Sequence, residues 1–292
     1  MQPQSPPTTY HAVVVDGTRI AYRQAGPADA PVILLLHGFP SSSRMFATLM
    51  SLLADRFRLV APDYPGFGNS DAPPPDRFAY TFDHLAQVMD GFTRAIGLTR
   101  YALYMQDYGG PVGFRLALAH PDRVTALIVQ NAVAHEEGIS GPLWDPRKAY
   151  WADPASHEAK VRTNLISPEA AKQRHVGTSP NPERYDPDLW TDEAAFLARP
   201  GQDRIQLALF YDYRTNPVSY HAWQAWLRDR QPPTLVLWGR YDPSFVVAEV
   251  DAFRQDLPNA ECHILDAGHF ALDEAVVPSA ALIRSFMTRV PT

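Results

Sequence analysis

Five short stretches of this 292-residue chain carry side chains suited to covalent chemistry: His37-Gly38-Phe39-Pro40, Asp63, Gln106-Asp107-Tyr108-Gly109-Gly110, Asp242 and His269. Each follows an apolar run of strand length or lies just beyond one. In an open α/β sheet, ligands bind outside the carboxyl ends of the strands, so these positions converge on one site. The order acid, acid, histidine in Asp107, Asp242 and His269 is that of a nucleophile, an orienting acid and a general base. Asp107 stands where an apolar run meets a Gly-Gly pair and a helical pattern. A sharp strand-to-helix turn there lifts the side chain to the top of the sheet. Taken singly, Asp107 also reads as a helix N-cap, Asp242 as a turn aspartate before Pro243, and His269 as a loop histidine. Three strand ends in that order favour the catalytic reading.

The elements that must position these residues follow from hydrophobic periodicity. Apolar-rich runs on either side of Asp16-Gly17, from His11 to Gly26, predict a β-hairpin. Pro31–Leu36 is a continuous apolar run, as expected of a strand buried on both faces. Strands over Phe57–Ala61, Tyr101–Met105 and Val124–Gln130 alternate with helices over Ser42–Ala54, Thr81–Ile96 and Gly110–Ala119, which implies βαβ units and a mostly parallel sheet. From about Ala134 to Gln231 the pattern is helical and interrupted by nine of the chain's 28 prolines. Strand character resumes at Thr234–Trp238 and Ala260–Leu265, with helices over Val246–Asp256 and Val276–Val290. The reading is an α/β fold, a mostly parallel sheet with helices on both faces. Residues 1–133 and 232–292 form its core, and residues 134–231 form a helical cap.

Together, His37-Gly38-Phe39-Pro40, the Asp63 to Ser70 stretch (DYPGFGNS), Gln106-Asp107-Tyr108-Gly109-Gly110 and Gly268-His269-Phe270 resemble the α/β-hydrolase superfamily. More narrowly, they resemble its aspartate-nucleophile branch, which contains epoxide hydrolases and haloalkane dehalogenases. The likeness spans the chain beyond its first ten residues. One departure is Met105, where the serine-type turn has its first glycine, so a less tight turn is expected.

The resemblance implies Asp107 as nucleophile, His269 as base, Asp242 as its orienting acid, and the backbone N–H groups of Phe39 and Tyr108 as oxyanion hole. Carboxylate attack on an ester gives an anhydride that collapses back, whereas attack on a saturated carbon bearing a leaving group gives an alkyl ester that water can open. An epoxide leaves as a basic alkoxide and needs a proton donor; a halide needs weak N–H donors and no proton. Related epoxide hydrolases carry two lid tyrosines. Tyr150, 43 residues after Asp107, and Tyr213, 29 before Asp242, stand near those spacings, with Tyr211 or Tyr220 as substitutes for Tyr213. Trp151 and His37 are added as substrate contacts, although at His37 the family more often orders the oxyanion loop. The asparagine and tryptophan that hold halide in haloalkane dehalogenases are replaced by Phe39 and Tyr108. Trp144 or Trp151 is left as an indole donor. The arginine that follows the nucleophile in haloacetate dehalogenases is likewise replaced by Tyr108. An epoxide is therefore the expected substrate class, a haloalkane or haloacid the alternative, and a non-catalytic receptor on the same fold the third reading.

Composition bounds the rest. With 26 basic against 32 acidic residues, a net charge of -6 and no basic run, no nucleic-acid footprint is present. One cysteine excludes a disulfide framework and paired-cysteine zinc sites. His120, His157, His175 and Cys262 show no ligand spacing, and neither cofactor nor metal is expected. The polar, proline-rich start lacks an apolar h-region, and no apolar run approaches membrane-spanning length, so a cytoplasmic protein is expected. The expected partner is a small-molecule substrate, with a homodimer left open.

Overall fold

The structure, a computed structural model, describes residues 7–291; the first six residues of the polar N-terminal stretch lie outside it. Strands β1 (Thr9–Val15) and β2 (Thr18–Ala25) form an antiparallel hairpin. Asp16 and Gly17 turn it with φ of 46° and 80°. Two successive positive φ values give the turn whose twist matches its strands, which accounts for the Asp-Gly pair. There follow β3 (Val32–Leu36), α1 (Ala47–Leu53), β4 (Arg58–Pro62), α2 (Phe82–Ala95), β5 (Tyr101–Gln106), α3 (Gly109–Ala119) and β6 (Val124–Gln130). Six helices separate β6 from the next strand: α4 (Asp145–Ala152), α5 (Pro154–Ile166), α6 (Pro168–Val176), α7 (Asp188–Leu197), α8 (Gln202–Asp212) and α9 (Thr215–Arg230). The chain closes with β7 (Thr234–Gly239), α10 (Ala248–Asp256), β8 (Glu261–Leu265) and α11 (Leu272–Met287).

The eight strands form one sheet in the order β1-β2-β4-β3-β5-β6-β7-β8. β2 runs antiparallel to β4, and every pair from β4 to β8 is parallel. Alternate residues of the central strands face two separate cores. Leu34, Leu36, Leu103, Met105, Val129 and Trp238 join one core with α2 and α3, while Ile33, Leu35, Ala102, Tyr104, Ile128 and Leu237 join the other with α1 and α11. Burial on both faces explains why these strands read as continuous apolar runs. Among the described residues no helix is long and apolar enough to cross a membrane.

The largest differences from the sequence reading are at two helix starts. Ser42 caps a single 3-10 turn over Ser43–Phe46, and the α-helix begins only at Ala47. The last helix starts at Leu272, four residues before the expected start, and is kinked at Ala275 (φ -121°, ψ 26°). Pro278 lacks the N–H that would continue the ladder, so it reads in sequence as a helix start although it lies inside one. The prolines of the 134–231 stretch mostly start helices. Pro154 and Pro168 are first residues, preceded by Asp153 and Ser167, whose side chains accept from the Ser156 and Ala170 N–H groups. A proline there forfeits no intrahelical bond and presets φ.

Met105, the departure from the glycine of serine-type turns, is accommodated from α3. A Cβ on Gly113 would lie 2.3 Å from the Met105 sulfur. The missing side chain of one residue thus makes room for the larger side chain of the other. Gly113→Ala is expected to overpack this contact and lower stability by about 1–3 kcal/mol, read from the denaturant midpoint. Pairing it with Met105→Ala should recover part of the loss.

Candidate active site

The connection between β5 and α3 is two residues long, and Asp107 occupies it with φ of +48°. A left-handed conformation at a non-glycine residue is a strained one, held by its surroundings. The Asp107 N–H donates to the Asn131 carbonyl (3.2 Å), and its carbonyl accepts from Gly110 (2.9 Å), which pins the turn. The loop after β3 comes equally close. A Cβ on Gly38 would stand 2.3 Å from the Asp107 Cβ, so only glycine allows that approach. It brings the Phe39 N–H to Asp107 Oδ1 at 2.7 Å. The Tyr108 N–H also acts on the same carboxylate. Burial pushes the Asp107 carboxyl above the usual carboxylate range, with His269 and these two N–H groups opposing the shift.

His269 follows β8, and its ring is buried beside Phe245 and Phe270. Its Nδ1 lies 2.7 Å from Asp242 Oδ2, and its Nε2 lies 3.6 Å from Asp107 Oδ2 and 3.1 Å from Gln106 Nε2. Burial disfavours the imidazolium. The Asp242 charge and hydrogen bond, with the Asp107 charge, outweigh burial and place His269 above the usual imidazole value. Asp242 follows β7; its Oδ1 accepts from the Ser244 and Phe245 N–H groups (2.7 and 3.0 Å). Its Oδ2 also accepts from Asn131 Nδ2 at 2.8 Å. The structure therefore brings the three strand-end residues into one chain of contacts.

Asn131 is a residue that the sequence reading passed over. It follows β6 with φ of +42°, exchanges hydrogen bonds with the Gly239 backbone, and braces Asp242. Its strand-end position was the available signal. Gln106, next to Asp107, was noticed without a role and proves to be the amide neighbour of His269 Nε2.

A pocket opens above Asp107 and His269. Phe39, Tyr108 and Phe245 line it from the sheet side, and Trp144, Arg147, Leu165, Arg174, Phe210 and Tyr213 line it from the helical stretch between β6 and β7. The Tyr108 hydroxyl is buried without a hydrogen-bond partner, and the buried Tyr213 hydroxyl has only the Tyr220 hydroxyl beside it. Burial, then neighbouring charges that include Asp107, keep both phenols well above their usual value and so protonated.

The other expected contacts lie elsewhere. Tyr150 does not line the pocket: its hydroxyl approaches the Leu207 carbonyl (3.4 Å) and its ring packs on Tyr211. Trp151 stacks on Tyr213 and gives its indole N–H to the Phe210 carbonyl at 2.9 Å, and Trp144 gives its own to Ser244 at 2.7 Å. Helix packing uses those donors. His37 is fully buried behind the loop, with Nδ1 at the Gly38 carbonyl (2.9 Å) and Nε2 accepting from Tyr64 (3.3 Å), so it positions the loop and does not face the pocket. Asp63 accepts from Ser43 and Asn69 as a turn residue (2.7 and 2.8 Å). His175 sits between Asp273 and Glu193 outside the pocket, at 2.7 and 3.0 Å.

Comparison with known proteins agrees with this architecture. The family model described as alpha/beta hydrolase fold matches residues 31–276. The chain belongs to the α/β-hydrolase fold family. An uncharacterized hydrolase of Saccharomyces cerevisiae is 42% identical over 281 residues, covering 94% of this chain and 96% of the yeast protein. Haloalkane dehalogenase 2 of Mycobacterium bovis is 42% identical over 113 residues, 39% of this chain and 38% of that one. The solved structure of an epoxide hydrolase, CorEH without ligand, superposes with a TM-score of 0.78 at 18% identity, covering 97% of this chain and 99% of its own. At that identity the likeness is one of fold. This α/β-hydrolase is an enzyme of the hydrolase class.

Proposed function

We propose that the chain is an aspartate-nucleophile hydrolase that opens an epoxide to a diol, with residues 134–231 as a cap between the core segments 1–133 and 232–292. The carrying observation is the pair of phenol proton donors that line the pocket. The Tyr108 hydroxyl lines it without a partner and the Tyr213 hydroxyl has only the Tyr220 hydroxyl beside it, while the Trp144 and Trp151 indole N–H groups are bound to backbone carbonyls. An alkoxide leaving group needs the hydroxyls, and a halide would need the indoles.

In this reading Asp107 Oδ2 attacks an epoxide carbon, the C–O bond breaks, and the Tyr213 hydroxyl protonates the alkoxide. The product of that step is an alkyl ester on Asp107. His269 Nε2 then takes a proton from water, whose oxygen adds to the ester carbonyl. The charge that develops on Oδ1 meets the Phe39 and Tyr108 N–H groups, already placed there in the free protein. Collapse expels the second hydroxyl of the diol, protonated by His269, and leaves Asp107 as the acid, whose proton returns to the Tyr213 phenolate and so restores both the carboxylate and the phenol. Asp242 holds the ring and stabilises its charged form through the 2.7 Å contact.

Incubation with styrene oxide and with 1-bromobutane separates the leaving groups. Diol without bromide is expected, and Tyr213→Phe is expected to lower diol formation by about 10²-fold. Bromide release without diol would replace this reading with a dehalogenase, the second reading, favoured by the 42% identical stretch shared with haloalkane dehalogenase 2.

A further inference from the structure

The two arginines of the pocket have no part in opening a neutral epoxide. Arg147 lies over the Trp144 ring at 4.6 Å, with Nη2 at 3.3 Å from the Ser244 hydroxyl. Arg174 lies over the Phe39 ring at 4.6 Å, one Nη2 hydrogen bond going to the Leu165 carbonyl. Its Nη1 is buried with no partner at all. Among the described residues, neither guanidinium has a carboxylate within 4.0 Å. The acid whose charge acts most on Arg174 is Glu193, which is engaged by His175 at 3.0 Å. Burial pushes Arg174 down to about 10, as expected of a cation lacking a counter-charge.

The approach to the pocket has the same character. An outer cavity of about 170 Å³ shares Arg147, Leu165, Arg174 and Phe210 with the pocket and adds Lys160 and His157. No Asp or Glu lines it. In a chain with 32 acidic against 26 basic residues, a mouth with three cations and no acid is not what composition gives. Such a funnel raises the local concentration of anions and steers them inward.

We propose that the substrate carries a carboxylate, held by Arg147 and Arg174 at the mouth side of the pocket while its electrophilic carbon faces Asp107. A guanidinium with a free Nη edge suits a carboxylate, and both are partly desolvated by aromatic faces, where such a bond is stronger than in water. Asp107 is the one acid among the residues lining the pocket, and Asp242 stands behind it, held by His269 and Asn131. The Asp107 charge acts on both guanidiniums but forms no ion pair with either, so their donors stay available to a bound anion. The substrate class rests on the proposed epoxide opening, but the anion site does not.

Binding of 3-phenylpropanoate and of the isosteric 3-phenylpropanamide, measured by calorimetry on the whole protein, tests the anion site without turnover. The acid is expected to bind at least tenfold more tightly than the amide. Arg174→Met and Arg147→Met should each remove most of that preference, and the two Lys variants should keep part of it. Equal binding, no binding of the acid, or a preference unmoved in both Met variants overturns the proposal. Should the Met variants fail to fold, the Lys variants and the fall of the preference with added salt decide it. Opening of 3-phenylglycidate and styrene oxide separates the two readings. Diol from both, with no anion preference, removes only the carboxylate; an anion preference with no diol removes only the reaction.

Discussion

His269→Gln is expected to stop the reaction halfway, with the substrate left attached to the protein. The first step needs the Asp107 carboxylate and a proton donor, neither of which the substitution removes. The second needs a base at Nε2, where glutamine offers none, so turnover should fall by about 10⁴-fold or more. Intact-protein mass after mixing with styrene oxide should rise by the mass of the epoxide, and the increment should map to the peptide containing Asp107. Steady turnover by this variant, or an inactive variant with no adduct, would sink the covalent mechanism. The wild-type pH profile should carry the same signature. His269 lies above the usual imidazole value partly because Asp107 is charged, and a protonated ring cannot act as base. The His269 ring of the free enzyme, followed by NMR, should therefore titrate above that usual value. In the ester, Asp107 has lost its charge, so the limb of the hydrolytic step should move to lower pH.

What the sequence shows of this site and what it hides divide along a physical line. Asp107, Asp242 and His269 are legible because a strand end fixes a side chain within a few residues, and the sheet then fixes the strands relative to one another. Asp107 also announces itself by its glycines, which exist to let β3 and α3 approach. The pocket-facing residues of the helical stretch have no such frame. Tyr150 and Tyr213 stand at comparable spacings from their strands, yet one hydroxyl reaches a backbone carbonyl and the other the pocket. Which face a helix turns inward depends on packing partners outside its own sequence, the next helix for α4 against α5 and one some forty residues on for α5 against α8. Arg147 and Arg174 were hidden for that reason. Among 26 basic residues, nothing in their local sequence marks them as cations without a counter-ion.

Asp107→Asn should separate activity from stability in opposite directions. The amide is not a nucleophile toward an epoxide carbon, so diol formation should fall by about 10⁴-fold or more. The fold, by contrast, should gain. Burial raises the Asp107 carboxyl above its ordinary range even against the opposing pull of His269 and of the Phe39 and Tyr108 N–H groups. Between the ordinary and the raised value the folded protein binds more protons than the unfolded chain. Stability therefore drops as pH rises through that window and stays lower above it. Asparagine does not titrate, its carbonyl can still accept from Phe39, and it tolerates a φ of +48° as readily as aspartate. His269 keeps its 2.7 Å partner Asp242, which limits what is lost on the other side of the site. The denaturant midpoint of Asp107→Asn should thus exceed that of the wild type at neutral pH and converge with it in acid. A variant less stable than the wild type at neutral pH would mean that the carboxylate contributes net attraction, and that the site is not built at the expense of the fold.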